Sequence, residues 1–252
     1  MPAPALVREL TVVVPAYNEA QRIVPSLEKI LAFLPGRFEA AEVLLVDDGS
    51  TDGTADLVES RFPGRVRVLR QPRRSGKGSA VRTGVLAARM PWVLFVDADL
   101  SIPIEETLAL CARADRAPIV IGSKRAPGSE IEYPLLRRYL GGLGQRMISL
   151  LVVGGFHDTQ CGIKLYRQDA ARELFPLSRI DGFGFDFEVL FLARRLGWDV
   201  HEVPIHCQHK VGGTVRLRTY LRVLSEVARL TSYRARGLYP PARTRGKVSR
   251  ST

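Results

Sequence analysis

Glu42-Val-Leu-Leu-Val46 runs straight into Asp47-Asp48-Gly49-Ser50, and Trp92-Val-Leu-Phe-Val96 runs in the same way into Asp97-Ala98-Asp99. Each apolar run is short, unbroken and rich in Val and Leu, the pattern of a strand buried on both faces of a parallel sheet. The carboxylates therefore emerge at strand C-terminal ends, the edge of an open α/β sheet where ligands bind. Asp-Gly-Ser alone also makes ordinary turns and helix caps. Two acidic motifs at the same kind of edge point instead to a site that handles a nucleotide and a metal.

Outward from these runs, strand-like segments recur at Leu10–Val14, Val66–Leu69 and Ile119–Gly122. Helical patterns fall between them, over Glu19–Leu34, Thr54–Arg61, Gly78–Arg89 and Pro103–Ala114, with Ser101 as a candidate cap for the last. This alternation predicts an α/β domain with a mostly parallel sheet flanked by helices. Beyond Gly122 the pattern changes to a loop over Lys124–Tyr133, a helix over Pro134–Val153, strands at Ile163–Tyr166 and Val200–Ile205, and a helix over Phe185–Leu196. The expected organisation is one domain over residues 1–232, with a nucleotide-binding half at about 8–122 and an acceptor-binding half at about 123–232.

The 252 residues suffice for a full core without disulfides or a structural metal. Cys111, Cys161 and Cys207 are too scattered for a disulfide framework, which predicts a reducing compartment. The N-terminus lacks the basic start and apolar core of a signal peptide, and the stretch Met147–Phe156 is too short to span a bilayer. The net charge of +11 is concentrated at one end: from Lys210 to Thr252 eleven basic residues face Glu226 alone. Residues 214–231 carry an apolar stripe interleaved with arginines, which suits either packing on the body or contact with an anionic membrane surface. Residues 233–252, dominated by Gly, Pro and basic residues, are expected to form a disordered tail. The expected location is cytoplasmic, peripheral at the membrane face.

Four stretches carry the chemistry. Pro15-Ala16-Tyr17-Asn18-Glu19 follows the first strand and leaves Tyr17 where a planar base can be held. Asp47 and Asp48 can accept from a base N–H or ribose hydroxyls, whereas Asp52 reads as a helix cap. Asp97 and Asp99 lie two apart and so share one face of an extended segment, as hard-cation ligands beside a diphosphate would. Gly76-Lys77-Gly78-Ser79 is not a P-loop, because Gln71 stands where the upstream glycine belongs; Lys77 reads as a Gly-flanked cation beside the nucleotide. His201, His206, Cys207 and His209 crowd one stretch, but their spacing matches no common structural zinc site.

The order and spacing of PAYNE, VDDGSTDGT, GKG and VDADL resemble the family 2 glycosyltransferases, whose fold is the Rossmann-like GT-A. The later stretches Asp158–Tyr166 and Phe183–Leu190 resemble the branch that includes the dolichyl-phosphate β-glucosyltransferases and, more distantly, the dolichyl-phosphate mannose synthases. The resemblance covers about Leu10–Leu230. It implies that Pro15, Ala16, Tyr17, Glu19 and one or both of Asp47 and Asp48 hold the nucleotide, and that Asp97 and Asp99 hold Mg²⁺ or Mn²⁺. In the mannose synthases a Gln two residues past the second Asp joins the metal; here that place is Ser101. Arginines that bind donor phosphates correspond to Arg125 and to Arg137 or Arg138, with Lys124 altering the local spacing.

An alcohol acceptor would need a general base, for which Asp158, Asp186 and Glu188 are the candidates. A phosphate acceptor, with a second pKa near ~6, is already largely ionised at neutral pH. It would need cations to guide it, and Arg137, Arg138, Arg146 and the basic C-terminal segment offer them. The expectation is an inverting, metal-dependent transfer of a hexose, glucose from UDP-glucose foremost, onto a polyprenyl or dolichyl phosphate. The alternatives are GDP-mannose or a UDP-N-acetylhexosamine as donor, or a soluble acceptor. Nucleic acid is not an expected partner, since a polyanion-binding surface has no use for carboxylate pairs at a sheet edge.

Overall fold

In the computed structural model, which describes residues 6–131, 155–207 and 217–243, the sheet is built around β1 (Glu9–Ala16). Its parallel neighbours are β2 (Ala40–Asp47) and β4 (Trp92–Val96). Beyond β2 lies β3 (Arg67–Arg70), also parallel. On the other side β7 (Ile163–Arg167) is inserted antiparallel between β4 and β5 (Ile119–Ser123), and β8 (Val200–Pro204) closes the edge parallel to β5. The resulting order is β3-β2-β1-β4-β7-β5-β8. The sheet is thus mostly parallel with one reversed strand, within a single α/β domain.

Successive residues of a strand face opposite sides of the sheet, and both sides are covered. Val12, Val14, Leu45, Leu94 and Val96 pack with Ile23, Leu27 and Ile30 of α1 (Ile23–Phe33) and with Val58 of α2 (Thr54–Arg61). Val13, Leu44, Val46, Val93 and Phe95 face α3 (Lys77–Ala87), α5 (Gln168–Leu174) and α6 (Phe185–Arg195). Full burial of each such side chain contributes about 1.5–3 kcal/mol. Gly84 belongs to this packing, since a Cβ there would lie 2.4 Å from Val13 Cγ1.

Several expectations are amended. The helix over Pro103–Ala114 is a short 3₁₀ turn at Ile104–Glu106 followed by α4 (Thr107–Cys111). Ser101 does not cap it; Pro103 occupies the cap position, and the Ser101 N–H donates to Asp99 Oδ1 instead. The strand expected over Val200–Ile205 breaks at Ile205. The chain then forms β9 (His206–Cys207), which pairs with β6 (Glu130–Ile131) inside the segment expected to be loop. The helix expected over Pro134–Val153 lies outside the described residues.

The C-terminal helix α7 (Leu217–Ala235) docks on the body: Glu226 and Leu230 are buried, and Val227 and Tyr233 pack against the α6 side of the core. Residues 233–243, expected as disordered tail, continue this docking. Tyr239 is 5% exposed, with its ring 5.4 Å from that of Phe191, and Arg243 N–H donates to Arg195 O at 2.9 Å. The composition of this stretch conceals the reason: one buried aromatic supplies the apolar area that Gly, Pro and Arg lack. Among the described residues no helix is long and apolar enough to cross a membrane.

Candidate active site

At the C-terminal edge of β1 and β2, Ala16 pairs with Asp47, and the Asp48 N–H donates to Ala16 O at 2.8 Å. Both acidic side chains are buried, but differently used. Asp48 Oδ1 accepts the Ser75 N–H at 2.7 Å and Oδ2 the Gly76 N–H at 2.9 Å, so this carboxylate fixes the turn that leads into α3. Asp47 Oδ2 accepts the Ser50 N–H at 3.2 Å, while Asp47 Oδ1 is buried and has no partner among the described residues. An orphaned buried acceptor costs about 1–3 kcal/mol, which a ligand N–H or O–H would recover.

Adjacent loops are tied to this pair. Asn18, at φ 54°, accepts the Thr51 N–H on Oδ1 at 2.9 Å and donates its own N–H to Ser50 Oγ at 2.9 Å. Gly49, at φ +69°, lies so close to Arg73 and Arg74 that a Cβ would meet their backbone at 2.6 Å. The Arg74 guanidinium sits 4.0 Å from the Tyr17 ring centroid, so the Tyr17 face already holds a planar cation. Glu19 is held by both arms of Arg22, at 2.6 and 2.9 Å. Asp52 accepts the Thr54 N–H at the start of α2 and the Ala20 N–H, each at 3.0 Å, which braces the two loops together.

At the end of β4, Asp97 Oδ1 lies 2.7 Å from Lys77 Nζ, the first residue of α3. The Asp97 N–H donates to Gly162 O at 3.1 Å, and a Cβ at Gly162 would overlap the Asp97 carboxylate. Asp99 Oδ1 accepts the Ser101 N–H at 2.9 Å across Leu100, which is held at φ +44°, a strained value for a non-glycine residue. The Lys77 ammonium also faces the rings of Phe95 and Phe183, at 5.1 and 5.7 Å. Burial works to lower its pKa, but Asp97 and Asp186 outweigh burial and hold it above the ordinary lysine value.

The carboxylates weighed as general bases are all engaged inside the protein. Glu188 is fully buried and accepts from Ser178 Oγ at 2.7 Å, from the Arg179 and Ile180 N–H groups at 2.9 Å, and from the Tyr239 hydroxyl. Asp186, also buried, pairs with Lys164, whose ammonium donates to Cys161 O at 2.9 Å as well. Burial pushes the Asp186 carboxyl above the usual range against the pull of Lys164 and Lys77. Asp158, 1% exposed, accepts the Lys124 N–H at 3.2 Å and the Gln160 N–H at 3.1 Å. Beside it, burial pushes the Cys161 thiol up to about 12, far from a reactive thiolate.

The structure thus brings Asp47, Asp48, Lys77, Asp97 and Asp186 to one edge with Tyr17 and Glu19 on its flank. Arg125 directs its backbone N–H to Ser123 Oγ at 3.2 Å; Arg137, Arg138, Arg146 and His209 lie outside the described residues. Sequence reasoning missed Gly162, whose lack of a side chain makes room for Asp97, and Lys164, whose charge is hidden in an apolar strand. It also missed Arg22, the chelator of Glu19. Glycines flanking an acidic motif in the second half were the available signal for the first; the others leave no local mark.

The donor set is hard oxygen. Among the described residues no group of three or more His, Cys, Asp and Glu side chains comes together. Carboxylate oxygens such as those of Asp97 and Asp99 fit the chemistry of Mg²⁺ or Mn²⁺, which bind through one or two carboxylates and complete their shell with phosphate oxygens and water. That Asp97 attracts an ammonium to 2.7 Å shows that the position favours a cation.

The family model described as Glycosyl transferase family 2 matches residues 11–175. The chain is 34% identical over 245 residues to a dolichyl-phosphate beta-glucosyltransferase of Trichomonas vaginalis, covering 91% of this chain and 72% of that one. It is 30% identical over 217 residues to the Homo sapiens dolichyl-phosphate beta-glucosyltransferase, covering 79% and 67%. In fold it is similar to glucosyl-3-phosphoglycerate synthase of Mycobacterium tuberculosis in a complex with Mn²⁺, UDP-glucose and phosphoglyceric acid, at TM-score 0.63 and 19% identity over 89% of this chain and 80% of that one.

Proposed function

Because this chain belongs to glycosyl transferase family 2, we propose that it is an inverting hexosyltransferase that moves glucose from UDP-glucose onto a polyprenyl phosphate, dolichyl phosphate being the type, at an anionic membrane surface. The observation that carries the acceptor is the state of the candidate bases: Asp158, Asp186 and Glu188 are all buried and all committed to internal donors. An alcohol needs a base within reach of its proton, whereas a phosphate arrives ionised and needs none.

The donor half of the reading rests on Asp47 Oδ1, a buried acceptor that a base N–H would satisfy, and on the stacking face of Tyr17. Asp97 and Asp99 would hold Mg²⁺ or Mn²⁺, which neutralises the diphosphate as it departs. Lys77 adds a fixed positive charge on the same side and, held above its ordinary pKa, keeps that charge through the neutral range. Arg125, Arg137 and Arg138 are proposed as further phosphate contacts, and the basic segment from Lys210 as the part that meets the membrane. The named relatives are dolichyl-phosphate glucosyltransferases, which supports glucose and a lipid phosphate together.

Transfer of radiolabelled sugar from a panel of nucleotide sugars into extractable polyprenyl phosphate, with Mn²⁺ or Mg²⁺, tests this directly. Metal-dependent label from UDP-glucose in the lipid phase, absent with Asp99→Ala, is the expected result. Label from another donor would change the sugar, and donor turnover without lipid label would remove the acceptor.

A further inference from the structure

Glu226 is the only acidic residue between Lys210 and Thr252, and it is buried at 5% exposure. Its Oε2 accepts the Gly184 N–H at 2.7 Å, and the carboxylate fills the space that a Cβ at Gly182 would need. Gly184 is equally constrained, since a Cβ there would meet Glu226 Cβ at 2.9 Å. The C-terminal helix therefore grips the Gly182-Phe183-Gly184 turn from outside.

The inner side of the same turn faces the donor site. Asp181 O accepts the Gly78 N–H at 2.7 Å and the Ser79 N–H at 3.2 Å, at the first turn of α3. A Cβ at Gly76 or Gly78 would collide with the backbone of residues 180–182, so the two segments are in direct contact. Lys77 lies between these two glycines, with its ammonium 5.7 Å from the Phe183 ring centroid and 2.7 Å from Asp97 Oδ1.

We infer that Glu226 is a positioning residue for the donor site: by fixing the Gly182–Gly184 turn it sets the first turn of α3 and with it the Lys77 ammonium beside Asp97. The inference builds on the reading of Lys77 as a donor-phosphate group, but the mechanical link from Glu226 to α3 stands on the contacts themselves. It gives one residue of the C-terminal helix, Glu226, a structural link to the donor site, beside the membrane contact proposed for the basic segment. Nothing in the motifs of the first half requires that helix, yet the turn that seats Lys77 rests on it.

Glu226→Ala and Glu226→Asp, the second keeping the charge but one methylene too short to reach Gly184, test the link in the full-length protein. Glu226→Gln keeps an acceptor at the right distance, and Leu230→Val weakens the docking of the same helix without touching the turn. Amide hydrogen exchange at residues 76–79 and the KM for UDP-glucose are measured for all four. The Ala and Asp variants are expected to exchange faster at 76–79 and to raise KM about tenfold, the worth of one charge-assisted hydrogen bond, with kcat changed much less. The Gln variant is expected to restore both, and Leu230→Val to lower the melting temperature alone. Unchanged protection and unchanged KM in the Ala and Asp variants, with melting lowered as in Leu230→Val, would overturn the inference. Should the native protein bind no UDP-glucose, the donor reading falls and the exchange result alone decides whether Glu226 holds the Lys77 turn.

Discussion

Lys77 Nζ and Asp97 Oδ1 stand 2.7 Å apart, the one opening α3 and the other following β4, so the first carboxylate of the second acidic motif is already neutralised from within the chain. Lys77→Met should therefore remove the counter-ion of Asp97 and, with it, the charge proposed to meet the donor phosphates. Loss of one preorganised group of this kind costs about 10²–10³ in kcat. The expected outcome is a fall of about 10² in kcat/KM with an unchanged circular dichroism spectrum, since Asp97 remains partly open to water.

Asp47 presents the opposite situation, since its Oδ1 is buried and meets no donor among the described residues. Asp47→Asn replaces a buried charge by a neutral amide and should leave the melting temperature of the ligand-free protein unchanged or higher. If Asp47 holds the base as proposed, the rise in melting temperature expected of the native protein with UDP and Mn²⁺ should shrink in this variant, because the base would lose its carboxylate acceptor. A variant that melts lower without ligand yet keeps the full shift would count against this use of Asp47.

The buried pair of Lys164 and Asp186 carries a pH signature. Burial raises the folded-state pKa of Asp186 above its unfolded value near 3.9. Stability from a raised carboxyl is fully present below the unfolded pKa and is lost as pH rises through the folded one. Lys164→Met removes the opposing ammonium, raises that folded pKa further and widens the window upward. Relative to the native protein, the variant should be nearly as stable at pH 4 and weaker by about 3–5 kcal/mol at pH 8, the cost of leaving a buried charge alone. Chemical denaturation at the two pH values measures it.

Tyr239 donates to Glu188 from the far end of the chain and buries its ring against Phe191. Tyr239→Phe keeps the ring and removes only the donor, so its cost should be that of one hydrogen bond to a charged group, about 1.5–3 kcal/mol. A truncation ending at Ala235 should lose more, because the ring goes too. Urea denaturation of both variants separates the two contributions.

The strands of the first half were legible almost to the residue, because a sheet buried on both faces leaves continuous apolar runs: Trp92–Val96 is read identically in sequence and structure. Strand direction was not legible, since the run Ile163–Tyr166 has the same composition whether it lies parallel or antiparallel. The carboxylate pair of the first motif was visible, but its division of labour was not. Asp48 answers to amides at Ser75 and Gly76, 27 and 28 residues away, and only the fold places them there. Glu188 was singled out only as a candidate base, and the internal roles of Glu188 and Glu226 were hidden for the same reason, as each accepts from backbone N–H groups that carry no side-chain signature. Periodicity found the helix that bears Glu226, yet composition placed its C-terminal neighbours in solvent, because Tyr239 alone outweighs the polar residues around it.

The reversed strand β7 has a consequence for the order in which this chain can assemble. It fills the gap between β4 and β5, so the strand that ends at Ser123 reaches the rest of the sheet only through residues 163–167. A nascent chain that has just completed the two acidic motifs holds β3, β2, β1 and β4 with one flank of β4 bare, an open edge with unpaired amides. Closing it requires a pairing across about seventy residues, a slow step by loop-closure entropy. The segment that carries both acidic motifs therefore does not close this edge by itself. Its Asp97 becomes seated only when Gly162, arriving from the opposite direction, completes the wall beside it.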